Sequence, residues 1–149
     1  MIRNLCEPIK RIFASMKKAI SIFLTIIFSL TIVFHILVLV GLVPYDIVWG
    51  GRVKSVNDMY LFEAISLFLN AVFLFVVSAK SRVVKIRVSE KLLNVLLWIM
   101  AGVFLLNTLG NLMSTSELEK MIFTPVTLLL SILCILLALP SKGSELSKI

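Results

Sequence analysis

Charged residues, histidine and cysteine are scarce in this chain of 149 residues, and each shortage excludes a class of function. Only 15% of the residues are charged, whereas soluble domains carry about 25%. One histidine and two separated cysteines, Cys6 and Cys134, form no metal-ligand pattern and no C-x-x-C pair. We therefore expect no metal, no haem or other cofactor, and no thiol–disulfide chemistry. The P-loop, G-x-S-x-G and H-E-x-x-H motifs are also missing from the sequence.

Hydrophobic residues make up 60% of the chain, against about 45–50% in soluble domains. A membrane-spanning helix needs about 20 mostly apolar residues, and four stretches meet this requirement. The first run is too long for the ~7–15-residue core of a signal peptide, so it should be retained. The sequence predicts an all-α, single membrane domain over 1–149, with transmembrane helices at 19–40, 59–79, 92–110 and 120–139.

The distribution of basic residues predicts the orientation of these helices. Of 15 lysines and arginines, 12 lie in the segment 1–18, the loop 80–91 and the tail 140–149. The remaining three, Arg52, Lys54 and Lys120, lie in or beside the outer loops 41–58 and 111–119. The positive-inside rule places both termini in the cytoplasm, and short loops favour an antiparallel bundle. The net charge is +7, and the basic residues flank apolar runs. We therefore expect the lipid bilayer, and not nucleic acid, to be the partner of this chain.

The start of the first helix allows two interpretations, and the start of the fourth is predicted to be irregular. Residues 8–18 have the spacing of an interfacial amphipathic helix beginning at Pro8, or they are a basic topology signal that continues the first transmembrane helix. In the fourth helix, capping-box spacing predicts an extra turn before the membrane. Pro125 then falls inside that helix and should kink it, because proline has no N–H to donate.

Polar residues gather in the outer half of the predicted bundle. At a rise of about 1.5 Å per residue, each of the four helices places polar side chains at a similar depth in the membrane. The Gly50-Gly51 pair can also direct Arg52 toward Glu63 or toward an anionic headgroup. These features predict an outward-facing ligand pocket formed by His35, Trp49, Arg52, Glu63, Asn70, Asn107, Asn111, Thr124 and Thr127.

A structural interpretation of the same residues stands beside the functional one. Glu63 can simply favour the positive end of the second helix. His35, Asn70 and Asn107 can form hydrogen bonds between helices that hold a small bundle together. The small residues of the fourth helix form one stripe that suits close packing: Thr124, Thr127, Ser131, Cys134 and Ala138.

Several short motifs are similar to those of a group of small bacterial four-helix membrane proteins whose function is not assigned. They are the run PYDIVWGGR at 44–52, Glu63, LNTLGN at 106–111, Glu119-Lys120 and FTPVT at 123–127. The resemblance covers most of the four predicted helices. It implies a bacterial cytoplasmic (inner) membrane and implies nothing about chemistry.

Three functions remain open at this stage. The first is a binding module whose outer pocket holds or passes a lipid, a quinone-like molecule or another amphipathic ligand. The second is an accessory subunit, in which the small-residue stripe contacts another membrane protein or a second copy of the chain. The third is a membrane enzyme that uses His35 and Glu63 as an acid–base pair. The absence of catalytic motifs favours the first two.

Overall fold

The computed structural model describes residues 2–45, 53, 55–84, 86–114, 117 and 119–139, and its regular structure is helical throughout these ranges. The helices are α1 (Ile2–Leu39), α2 (Val56–Lys80), α3 (Glu90–Leu112) and α4 (Thr124–Ala138). A short π-helical turn, Glu119–Phe123, leads into α4. The all-α prediction is confirmed for the described part of the chain, and one helix occupies each of the four predicted segments.

All four helices are long and apolar enough to cross a membrane. The candidate spans are Arg11–Leu39, Val56–Lys80, Glu90–Leu112 and Lys120–Ala138, with mean hydropathy between 2.1 and 2.7 in their most apolar stretches. Only 22–33% of those stretches is buried within the chain. Large apolar side chains such as Leu30, Phe68 and Leu106 are exposed on the outside of the bundle. So much apolar surface requires an apolar environment.

The first helix is continuous from residue 2 to residue 39. Pro8 lies inside α1, so it is not the first residue of a separate interfacial helix. Residues 8–18 therefore continue the first predicted span, which is the second of the two interpretations. At 1.5 Å per residue the helix is about 57 Å long, nearly twice the thickness of a bilayer core. Its first third extends beyond what is needed to cross a membrane.

A kink is expected at Pro125, and the structure has an irregular turn of helix just before this residue. Proline occupies the first turn of α4, where its missing N–H costs little. The backbone directly before it widens into the π turn Glu119–Phe123. This wide turn continues into α4. Residues 115, 116 and 118, which lie within the capping pattern, are outside the described residues, so the extra turn before the membrane stays a prediction.

The helices pack chiefly as two pairs, α1 with α2 and α3 with α4. A central core of apolar side chains joins the pairs. Phe28, Phe73 and Phe104 bring their rings together there, with centroids 5.4–5.9 Å apart. Within the α3–α4 pair, the hydroxyl of Ser131 donates to the carbonyl of Ala101 over 2.9 Å.

The small-residue stripe of α4 is largely occupied within the chain. Ser131, Cys134 and Ala138 are all buried, and Cys134 has no exposed surface. These residues let α4 approach its neighbours closely, as small residues do in membrane helices. This buried part of the stripe is therefore unavailable to another protein. One observation that supported the accessory-subunit hypothesis is thereby removed.

Candidate functional site

A buried histidine–glutamate pair connects α1 and α2. His35 lies one turn before the end of α1, and Glu63 lies two turns after the Ser55 cap of α2. Because these two helices pack side by side, Nδ1 of His35 and Oε2 of Glu63 are 2.5 Å apart. Glu63 has no exposed surface, and His35 is 8% exposed. The acid–base hypothesis requires these two side chains to lie within hydrogen-bond reach, and the structure brings them to that distance.

The local helix geometry explains how Glu63 enters the interior. The hydroxyl of Ser55 accepts a hydrogen bond from the backbone N–H of Asp58 and so caps α2. From that fixed start, Met59, Glu63 and Ser66 follow at spacings of four and three residues, and all three are buried. Residues with these spacings share one face of a helix. Glu63 is therefore on the face of α2 that packs against the rest of the chain.

The carboxylate of Glu63 is shielded from solvent and from any ligand of ordinary size. Two polar groups in such a place have lost their hydration, so each depends on the other for its hydrogen bond. The short hydrogen bond to the imidazole replaces part of the hydrogen bonding that water would give to the carboxyl group. The arrangement holds α1 against α2, but it leaves no room for a reacting group beside the carboxylate. The acid–base hypothesis meets the distance requirement and lacks an accessible site.

A second polar cluster joins α3 and α4. The hydroxyls of Thr108 and Thr127 are 2.9 Å apart, and Nδ2 of Asn111 donates to the Thr127 hydroxyl over 3.4 Å. Thr127 also donates to the carbonyl of Phe123 over 2.8 Å. These bonds fix the C-terminal end of α3 relative to the start of α4. Sequence reasoning missed Thr108, although its spacing of three residues from Asn111 places both on one face.

The remaining predicted site residues do not join these clusters. Asn70 is half-buried and donates to the carbonyl of Ser66 in its own helix over 2.8 Å. The side chain of Asn107 is exposed on the outside of α3. Thr124 is half-buried, and its hydroxyl oxygen is enclosed without a hydrogen-bond partner among the described atoms. Trp49 and Arg52 lie outside the described residues.

An open cavity of about 400 Å³ lies beyond the histidine–glutamate pair, where α1 ends and α2 begins. Leu39 is one turn past His35, and Met59 is one turn before Glu63. The chain turns there at Gly41, whose φ of +76° is the left-handed conformation that glycine adopts without strain. The lining is mainly apolar with two tyrosines: Val38, Leu39, Val40, Gly41, Val43, Pro44, Tyr45, Met59 and Tyr60.

None of the predicted pocket residues that the structure describes lines this cavity. The sequence carried a weaker signal for it, namely a glycine and a proline that end a helix beside a tyrosine at the predicted membrane surface. Of the polar residues singled out from the sequence, four serve instead as contacts between helices: His35, Glu63, Asn111 and Thr127. No protein-family model, no curated protein and no solved structure matches the chain.

Proposed function

We propose that the chain is a four-span protein of a bacterial cytoplasmic membrane, with an antiparallel bundle and both termini in the cytoplasm. The apolar exterior of the four helices supports the membrane setting. Lys17 of α1 bonds the carbonyl of Leu139 after α4, and Lys80 of α2 bonds Glu90 of α3. These contacts bring the early part of α1, the end of α2, the start of α3 and the end of α4 to one level, as helices of alternating direction require. The basic loops at that level support its cytoplasmic assignment.

Cysteine labelling in intact cells tests this orientation. In a Cys6→Ser background, Leu42→Cys should react with a membrane-impermeant maleimide added outside, because Leu42 is 73% exposed near the outer end. Arg87→Cys, in the predicted cytoplasmic loop, should react only after the cells are permeabilised. The reverse pattern would invert the topology. Labelling of both positions in intact cells would contradict the single membrane crossing by α2 that lies between them.

The proposed function is the binding of a small amphipathic ligand in the cavity between the end of α1 and the start of α2. The observation that carries it is the position of this ~400 Å³ cavity one helical turn from a buried polar pair. Its volume is within the range of about 300–1,000 Å³ typical of small-molecule sites. Buried Val38 and Met59 offer an apolar wall, while Tyr45 and Tyr60 offer rings with a polar tip. The pair below holds the two walls of the cavity together.

Native mass spectrometry of the gently purified protein tests ligand binding. The wild type should carry an adduct of discrete mass. Val43→Trp places a large ring in the cavity and should reduce that adduct at least about tenfold, the effect of a clash costing about 1.4 kcal/mol. Val33→Trp is the control for the added ring, because Val33 is 52% exposed on α1 and does not line the cavity, so the adduct should be unchanged.

Two results would contradict this function. Equal loss of the adduct in both variants would indicate a general effect of the added ring, and bare protein in every sample would indicate that the cavity is empty. The second result would favour the accessory-subunit hypothesis. Asn107 would then be the first side chain to examine, since an exposed amide within a membrane span gains from a hydrogen-bonding partner helix.

A further inference from the structure

A second and larger crevice lies at the opposite end of the bundle from the proposed ligand cavity. Its volume is about 760 Å³. It is bounded by the early part of α1, the end of α2 with the residues that follow, the start of α3 and the end of α4. The lining residues are Ala14, Lys17, Lys18, Ser21, Lys80, Ser81, Arg82, Glu90, Asn94, Leu137 and Leu139. All four helices therefore contribute to one concave surface at the level where basic residues are concentrated.

The crevice is strongly cationic. Four of its lining residues are lysine or arginine and one is a glutamate, so the formal charge of the lining is +3. Lys80 is held by Oε2 of Glu90 and Oδ1 of Asn94, each 2.6 Å from its Nζ. Lys17 donates to the carbonyl of Leu139 at the end of α4. Two of the cations are thus fixed in place by neighbouring helices and are not free to spread into solvent.

Arg82 reaches the crevice through an unusual backbone conformation. Its φ is +58°, in the left-handed region where non-glycine residues are uncommon. The turn ends α2, with the N–H of Val83 donating to the carbonyl of Ser78 over 3.0 Å. Glycine usually occupies the left-handed position at such a helix end. Here the chain has an arginine, whose side chain lines the crevice, although glycine would fit the backbone with less strain.

We propose that this crevice binds the phosphate-bearing headgroup of an anionic phospholipid. Basic pockets between transmembrane helices on the cytoplasmic side recognise such headgroups. Lysine and arginine donate charge-assisted hydrogen bonds to phosphate oxygens, and Lys18 and Arg82 are both exposed and able to turn toward one. Leu137 and Leu139 supply an apolar flank for the adjoining glycerol and acyl carbons. The inference depends on the proposed membrane setting and is independent of the ligand cavity at the other end.

Lipid titration of the delipidated full-length protein tests the proposal by native mass spectrometry. Phosphatidylglycerol and phosphatidylcholine with identical acyl chains are the two probes. The test variant is Lys18→Gln/Arg82→Asn, in which asparagine tolerates the left-handed backbone. The control variant, Arg11→Gln/Arg87→Gln, loses the same charge from exposed residues outside the crevice. Each basic contact near the surface strengthens anionic-lipid binding roughly fivefold, so the test variant should bind phosphatidylglycerol about 10- to 30-fold more weakly.

The expected result is a preference for phosphatidylglycerol that survives in the control and is lost in the test variant. Equal weakening in both variants would overturn the proposal, because it would assign the preference to diffuse charge. Equal binding of phosphatidylcholine by the wild type would also overturn it. Competition by soluble glycerol 3-phosphate at equal concentration would overturn the lipid assignment in favour of a soluble phosphate ester. Membrane insertion is scored separately by the cysteine labelling, so failure here is distinguishable from failure of the membrane proposal.

Discussion

Replacing Glu63 by leucine is expected to lower the free energy of unfolding by about 3–5 kcal/mol, because it leaves His35 buried without its carboxylate partner. The two groups are 2.5 Å apart and almost fully buried, so neither can recover its lost contact from water. Glu63→Gln should cost less, since the amide still offers hydrogen bonds to a neutral imidazole. The measurement is reversible unfolding of the purified protein in mixed micelles by titration with a denaturing detergent.

A double substitution separates the interaction from its burial cost. In His35→Phe/Glu63→Leu both polar groups are replaced by apolar ones of similar size. Such replacements of buried ion pairs are often neutral or stabilising. The double variant should therefore be more stable than Glu63→Leu alone, and the double-mutant cycle should give a coupling energy above about 2 kcal/mol.

Thr108→Val is the matched control for this cycle. It removes the 2.9 Å hydroxyl contact between α3 and α4 and leaves no charged group unpaired. Interhelical hydrogen bonds in membrane proteins average about 0.6 kcal/mol, with a maximum near 1.7 kcal/mol. If Glu63→Leu lowered the free energy of unfolding no more than Thr108→Val does, the pair would be an ordinary interhelical hydrogen bond. It would then have no special role in holding the walls of the cavity together.

The four helices were predictable because the length of an apolar run is a property of the sequence itself. A span of about 20 apolar residues has few alternatives to a helix. The meeting of His35 with Glu63 was also within reach, since each is the single ionisable residue well inside its span and such groups pair with one another. The continuity of α1 past Pro8 was only one of two interpretations, because proline is compatible with the first turn of a helix and, at a cost, with its interior.

The direction in which each polar side chain points was not predictable in the same way. Asn107 and Thr108 are neighbours in the sequence and differ by about 100° around the helix. Thr108 is buried against α4, and Asn107 is exposed. In a soluble helix the apolar stripe would have identified the inner face. A helix that is apolar on all sides lacks this signal, so the choice between the two residues depends on packing that only the structure supplies.

The cavity was missed for a related reason. Its wall consists mainly of apolar residues with two tyrosines and a glycine turn, a combination that is common at membrane surfaces. A search for polar residues at a common depth identifies the hydrogen bonds that hold helices together, and these lie where the helices touch. A cavity forms where they separate, here just past the last turn of α1. The pair and the cavity are adjacent because Leu39 and Met59 are each one turn from a member of the pair.

Replacing Phe28 by alanine is expected to cost about 3–5 kcal/mol of unfolding free energy. Phe28 is 1% exposed, and its ring centroid lies 5.7 Å from that of Phe73 and 5.9 Å from that of Phe104. These three rings come from α1, α2 and α3, so the cluster connects the two helix pairs. Aromatic pairs at such distances contribute about 0.5–1.5 kcal/mol beyond the area that they bury.

Phe68→Ala is the control for this substitution, because Phe68 belongs to α2 and is 68% exposed. An exposed apolar side chain loses few protein contacts on truncation, so its change should stay within about 0.5 kcal/mol. Both variants should retain their helical content by circular dichroism, since the spans remain long and apolar. A cost for Phe28→Ala no larger than that for Phe68→Ala would mean that the helix pairs are held together elsewhere. A full-size cost would identify the three-ring cluster as an apolar link between the pairs, in addition to the bonds of Lys17 and Lys80 that also join them.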